Sequence, residues 1–240
     1  MPSSFRTDSS PILLVVATRN DHKLREIQSI LGPVCHCQSL QTFPDAPTVV
    51  EDAPTFEGNA IKKSVQLARW LAVQKRVAPP LSPENFYVLA DDSGLEVDAL
   101  NGAPGVNSAR FAAKDRLGNS PDTDNNAKLL RLLANVPLEH RKARFRCVLA
   151  LTRIPCLRHD DTSRSCLEEE QELPTELFRG ACEGRIDFAP KGSNGFGYDP
   201  LFLPDGMETS LAELSQEQKN RISHRARALE KLVQYFSQSR

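Results

Sequence analysis

An apolar run meets two adjacent carboxylates, a hydroxyl and a glycine in Val88-Leu89-Ala90-Asp91-Asp92-Ser93-Gly94-Leu95-Glu96-Val97-Asp98. The pattern reads as a strand, an acidic turn and a second strand. Carboxylates at a strand end suit a hard divalent cation. Mg²⁺ takes one or two protein carboxylates and leaves its other positions to water and phosphate, and Asp91 and Asp92 can supply them. Asp-Asp-Ser-Gly is also ordinary turn chemistry, so the rest of the chain must decide.

Two other stretches carry chemistry of a matching kind. Thr18-Arg19-Asn20-Asp21-His22-Lys23 follows a buried strand and precedes a helix. A helix N-terminus there presents free N–H groups, and Thr18, Asn20 and Lys23 add side-chain donors, which together cradle phosphate. The structural alternative is a plain N-cap beside a solvated lysine. The second stretch is Pro190-Lys191-Gly192-Ser193-Asn194-Gly195-Phe196-Gly197-Tyr198-Asp199-Pro200. Its glycines allow close backbone approach, and Phe196 and Tyr198 offer stacking faces for a nucleobase, although such a loop can also be a hairpin.

These residues need elements to position them. Ile12 to Ala17 reads as a buried strand, and a first helix follows with Leu24, Ile27, Ile30 and Leu31 on one face until Gly32-Pro33 stops it. Leu40 to Pro54 reads as a loop with a short strand at Thr48-Val49-Val50, leaving Glu51 and Asp52 at its exit. A second helix runs from Phe56 to about Val77, and a third from Asp124 to Ala134. Arg110 to Pro121 reads as an ordered loop. Ala143 to Thr152 is the clearest strand, and Leu177 to Cys182 with Gly184 to Ile186 resumes the sheet after an excursion over 154–174. The last helix opens at Ser215 with a capping box to Gln218 and buries Ile222, Ala226, Leu229, Val233 and Phe236. On one ideal helix Lys219 and Arg225 edge that stripe while His224 points nearly opposite to it.

Composition narrows the function classes. The 240 residues hold 30 Lys and Arg against 31 Asp and Glu, so bulk charge makes no case for nucleic acid or an anionic membrane as the main partner. No run approaches the apolar length of a membrane span, and Met1 to Pro11 lacks an apolar signal core, so a cytoplasmic protein is expected. Six cysteines are then free thiols. Cys35-His36-Cys37 and the trio Cys156, His159 and Cys166 raise zinc, but neither has paired C-x₂-C spacing.

In order along the chain, Ala17-Thr18-Arg19-Asn20 through Lys23, Thr55-Phe56-Glu57-Gly58-Asn59-Ala60, Ala90 to Leu95, Gly102-Ala103-Pro104-Gly105, Gly195 to Pro200 and Ser223-His224-Arg225 resemble the inosine triphosphatase (Ham1/RdgB-like) family. The likeness spans about residues 12 to 236. It implies a mixed α/β fold with a long twisted sheet and two lobes around a cleft, residues 11–240 forming one catalytic domain behind a loose tail over 1–10. It implies an Mg²⁺-dependent enzyme, typically a cytosolic homodimer, that hydrolyses the deaminated purine nucleotides ITP, dITP and XTP to the monophosphate and pyrophosphate.

By position, the resemblance implies that Thr18, Arg19, Asn20, Asp21, His22 and Lys23 form the triphosphate loop, and that Glu51 and Asp92 bind Mg²⁺. Asp92 is the proton acceptor, with Asp91 beside it and Ser93 on the substrate. Phe196, Gly197, Tyr198 and Asp199 cover the base, and Lys219, His224 and Arg225 read it. Arg19 stands where many members have glycine, and Gly58 where many have a second glutamate, so Glu57 or Glu51 is left to supply any missing carboxylate. Two rivals remain: a related pyrophosphatase of pyrimidine nucleotides, and a nonenzymatic nucleotide or RNA binder. A binder would not need Asp91, Asp92 and Glu51 together, and would carry more positive charge.

Overall fold

Ile12–Val16 (β1) is buried at every position, as a strand covered on both faces must be. Around it the computed structural model describes residues 12–32, 34–74, 85–113, 118–154 and 172–238. Helix α1 (Asp21–Leu31) returns the chain so that β2 (Cys35–Ser39) lies parallel to β1. Helix α2 (Phe56–Gln74) then delivers β3 (Phe86–Val97) parallel to β1 on its other side. Beyond β3 the sheet turns antiparallel. After α3 (Asp122–Leu132), β4 (Lys142–Arg153) pairs with β3, β5 (Thr175–Ile186) with β4, and the short β6 (Phe202–Pro204) with β5. The order is β2-β1-β3-β4-β5-β6.

The chain closes with α4 (Gln216–Ile222) and α5 (His224–Gln238). Strand alternation divides the core between the two faces. Leu14, Val16, Leu89 and Leu149 meet Ile27 and Leu31 of α1 and Leu229 and Leu232 of α5. Leu13, Val15 and Val88 meet Leu67, Ala68 and Leu71 of α2. Close approach of α5 depends on Gly180 in β5. A Cβ there would drive into the His224 carbonyl and stand 2.6 Å from Ala228 N. Gly180→Ala is therefore expected to cost about 1–3 kcal/mol by overpacking, read as a lowered urea midpoint. An unchanged midpoint would show that α5 can back away freely.

Three expectations change. The acidic stretch is no turn: β3 runs unbroken through it, with Asp91 opposite Leu149, Asp92 opposite Val148 and Gly94 opposite Arg146. The long apolar partner β4 overrides the local turn propensity. Gly94 serves a close approach instead, because a Cβ would collide with Ser108 Oγ and lie 2.6 Å from the Gly105 carbonyl oxygen. Thr48-Val49-Val50 finds no sheet edge and forms no strand. The single C-terminal helix is broken at Ser223, which has extended backbone (φ −67, ψ 155) and whose Oγ accepts from Ala226 N at 3.1 Å, capping α5. Cys35-His36-Cys37, set aside as a zinc site on spacing, is part of β2, where Cys35 is buried and His36 exposed and alternation sends His36 to the face opposite the two cysteines.

Helix α3 starts and ends two residues earlier than the apolar pattern suggests. Cys156, His159 and Cys166, most of the excursion over 154–174, the expected end of α2 at Val77 and the tail over 1–10 lie outside the described residues. Among the described residues, no helix is long and apolar enough to cross a membrane.

Candidate active site

Strand β1 ends at Val16, beside Leu89, while β3 continues. The space left along β3 is where the chemistry-bearing residues gather, at the carboxyl end of a parallel strand where α/β sheets open a crevice. Into it runs the loop from β1 to α1. Asn20 caps α1, its Oδ1 accepting from His22 N at 2.9 Å and Lys23 N at 3.2 Å, and Thr18 Oγ1 accepts from Asn20 N at 3.1 Å. This fixes the loop from within. It is tied outward by Arg19, which donates to the Ala46 carbonyl at 3.1 Å, and by Asp21, which accepts from Gln41 Nε2 at 2.8 Å.

Because successive side chains of a strand point to opposite faces, Asp91 and Asp92 enter two different surroundings. Asp91 faces α1 and α5. It accepts from Lys23 Nζ at 2.6 Å, Arg225 Nε at 2.8 Å and Ser93 Oγ at 2.8 Å. Burial opposes its charge, but Arg225 and Lys23 outweigh that and hold it well below the usual carboxylate range. Asp92 faces α2. It accepts from Lys63 Nζ at 3.0 Å and Asn59 Nδ2 at 3.3 Å, and Lys63 also reaches Glu51 Oε2 at 3.1 Å. Here burial dominates and pushes Asp92 up to about 6 despite the pull of Lys63. Glu51, less buried, is held below its ordinary value: burial works against its charge, and Lys63 and Asp92 more than compensate.

At the other end lies the glycine loop. Gly192, Gly195 and Gly197 all have positive φ (77, 76 and 64), which explains their number. The turn lays the Phe196 ring against His22 (centroids 5.4 Å apart) and over Lys219 Nζ at 4.8 Å and Arg225 at 5.8 Å. Tyr198 is buried, its hydroxyl donating to the Ser108 carbonyl at 2.9 Å, so it supports the loop from beneath. Gly197 N donates to Asp122 at 2.6 Å. Asp199 accepts from Phe196 N and from Lys219 Nζ. Lys219 also meets Glu26 at 2.7 Å, and Glu26 pairs with Arg225. Charges thus alternate from the aromatic loop to β3.

This arrangement has known counterparts. The sequence matches the Ham1 family over residues 14–235. The chain belongs to the Ham1 family. It is 43% identical over 226 residues to the dITP/XTP pyrophosphatase of Desulforamulus reducens, covering 93% of this chain and 95% of that protein. It is 44% identical over 217 residues to the dITP/XTP pyrophosphatase of Geobacter sulfurreducens, covering 90% and 92%. Among solved structures, a HAM1 protein from Coxiella burnetii superposes with a TM-score of 0.72 at 33% identity, over 95% of this chain and 99% of that one. The Staphylococcus aureus Ham1 protein gives 0.71 at 34%, over 95% and 100%.

In this Ham1 chain the helix break brings His224 in with Arg225, both buried. The His224 ring stacks on Phe145 (4.8 Å, 12°), and its Nδ1 has no protein partner. Burial, assisted by Arg225, holds it well below its usual pKa, so the folded ring is neutral. As pH falls through about 6.5 the unfolded chain takes a proton that the folded one refuses, and stability drops by up to about 1.4 kcal/mol per pH unit. His224→Phe, which keeps the stacking face, is expected to lose less stability than the wild type between pH 7.5 and 5.5 in urea titrations. Equal losses would mean that His224 takes up its proton as readily in the fold as in the unfolded chain.

Glu26 and Lys63 escape the sequence reading, and Asn59 appears there only within a motif, with no role of its own. Asn59 and Lys63, four apart on α2, share one helix face, a signal that spacing carries but that only β3 makes meaningful. The residues fit a hard divalent cation. Glu51 and Asp92 already converge on one cationic group, and two carboxylates leave most of a hard ion's shell to water and phosphate. Asp91 is directed to the other face, and Glu57 is bound to Arg179 at 2.8 Å.

Proposed function

We propose that this chain is a nucleoside triphosphate pyrophosphohydrolase that converts the deaminated purine nucleotides ITP, dITP and XTP to the monophosphate and pyrophosphate. Working as a cytoplasmic homodimer, it would keep those bases out of DNA and RNA. The observation that carries the reading is the split between neighbouring carboxylates. Asp91 is locked as an anion between Lys23 and Arg225, whereas Asp92 sits near 6 beside Lys63 and Glu51. Without a cation, burial makes that carboxylate a better base than an ordinary aspartate, and a bound cation would draw it back toward the ionised form. The curated relatives' names point to the same reaction.

In this scheme Asp92 takes the proton from a water attacking the α-phosphorus, and Asn59 and Lys63 keep its carboxylate oriented. Lys23 neutralises charge on the departing pyrophosphate, and because Asn20 already caps the His22 and Lys23 N–H groups, Thr18, Arg19, Asn20, Asp21 and His22 act by shaping that loop. Mg²⁺, held by Glu51 and Asp92, supplies Lewis-acid stabilisation of the phosphates when bound. Ser93 lies at the phosphate end and Phe196 covers the base.

Lys219 has given donors to Asp199 and Glu26, and its remaining N–H suits the 6-oxo group of hypoxanthine or xanthine. The 6-amino group of adenine would set donor against donor, at about 1–3 kcal/mol. His224 and Arg225 complete that wall. Guanine shares the 6-oxo group, so its 2-amino group must be refused elsewhere. The test is pyrophosphate release from ITP, XTP, GTP, ATP, dUTP and dTTP with Mg²⁺. Preference for ITP and XTP with pyrophosphate as product is expected. A pyrimidine preference would keep the Asp92 chemistry and discard the base pocket, and no turnover at all would leave a binding module.

A further inference from the structure

The loop that carries Glu51 has little main-chain support. Residues 47–54 run from Pro47 to Pro54 outside any helix or strand, and among the described residues they make no backbone–backbone hydrogen bond. The Glu51 side chain is itself 38% exposed. A carboxylate that must meet Asp92 at a defined separation needs a fixed backbone, since a site about 1 Å too loose has lost its supporting shell. Lys63 joins the two side chains, but it does so with a cation that competes for the same oxygens.

Asn59 Oδ1 holds Ala53 N at 2.9 Å and Lys62 meets Asp52 at 2.6 Å on either side of the ligand's neighbours, but the side chain that grips the main chain of Glu51 itself is Arg110. Its NH2 donates to the Glu51 carbonyl oxygen at 2.8 Å across 59 positions, and its Nε is steadied by Asn107 Oδ1 at 3.2 Å. Arg110 ends the 3₁₀ turn Gly105–Arg110, and that turn is pinned to the site twice more. Ser108 Oγ accepts from Leu95 N at 2.9 Å, just beyond Asp92 on β3, and the Ser108 carbonyl accepts from Tyr198 Oη at 2.9 Å. The turn therefore keeps its place relative to the strand bearing Asp92, and Arg110 extends from it to the loop bearing Glu51. Because the guanidinium binds a carbonyl, it leaves both Glu51 carboxylate oxygens for a metal.

We propose that Arg110 is a positioning residue for the divalent cation, setting the separation of the Glu51 and Asp92 carboxylates through the Glu51 main chain. The inference rests on the reading in which those two carboxylates take Mg²⁺. The test is binding of Mn²⁺ to the full chain without nucleotide, followed by electron paramagnetic resonance, for wild type, Arg110→Met, Arg110→Lys and Glu51→Gln. Circular dichroism in chelator checks that each is folded. Loss of an outer-shell partner commonly weakens a metal site by about 10–100-fold, and that is the loss expected for Arg110→Met, with Arg110→Lys recovering most of it. Wild-type affinity in Arg110→Met alongside weak binding in Glu51→Gln would overturn the role of Arg110 and leave the metal site standing. Equal affinity in Glu51→Gln and wild type would instead remove the carboxylate pair on which the inference rests. If Arg110→Met does not fold, Asn107→Ala decides. It frees only Arg110 Nε, so weakened Mn²⁺ binding supports the proposal and wild-type affinity refutes it.

Discussion

Asp92→Asn is expected to lower kcat for pyrophosphate release by about 10²–10⁴-fold or more while the chain stays folded. The substitution preserves volume, and an amide oxygen can still accept from Lys63. Its nitrogen, however, meets Asn59 Nδ2, a donor whose partner Oδ1 is already accepting from Ala53 N at 2.9 Å. One mismatched buried pair costs about 1–3 kcal/mol, a lowered melting temperature but a native fold. An amide cannot accept the water's proton and is a poor ligand for a hard cation, so both contributions proposed for Asp92 would vanish together. Near-normal kcat in a correctly folded variant would take Asp92 out of the mechanism and move attention to Glu51.

The contrast with Asp91 shows why two adjacent aspartates are not redundant. On a turn, as the sequence suggests, both could have faced one ion. On a continuous strand they cannot, and the pleat gives one to the cations of α1 and α5 and the other to α2. Pairs of titratable groups whose surroundings push them apart mark acid–base assignments, and here one strand does it within a single peptide unit.

What could be read beforehand was whatever local spacing encodes. Strand β1, the Asn20-capped helix α1 and the capping box at Ser215 are all short-range patterns, and each forms. The break at Ser223 was open to the same reasoning, as Ser223 can cap a new helix, but the apolar stripe runs through it and suggests one helix. Strand β2 hid because Cys-His-Cys-Gln-Ser at a sheet edge lacks apolar alternation. Lys63 and Glu26 were illegible for a different reason. A basic or acidic residue on an amphipathic helix normally faces solvent. Their partners lie 29 and 199 positions away, and only the packed sheet brings them into register.

Glu26 carries the second large effect. Among the described residues it is the one carboxylate shared by Lys219 and Arg225, at 2.7 Å from the former and bonded directly to the latter, and all three side chains are almost wholly buried. Burial alone would raise its pKa, but the coulombic pull of Arg225 and then Lys219 outweighs this and holds it below the ordinary value. Glu26→Gln keeps the volume and removes the charge, leaving Lys219 with Asp199 and Arg225 with Asp91. Removing one partner of a buried ion pair typically costs about 3–5 kcal/mol, so a large fall in urea midpoint at pH 7 is expected. The sign of the pH dependence follows from the lowered pKa. The stability that charged Glu26 contributes is complete above its unfolded value, near 4.5, and disappears as pH falls through its folded value. The gap between wild type and Glu26→Gln should therefore be widest at neutral pH and shrink below about pH 4.5. A gap that stays constant with pH would mean that the glutamate acts through shape or hydrogen bonding. In that case the alternating charges between Phe196 and Asp91 would be a packing arrangement, with no electrostatic link from the base-covering loop to β3.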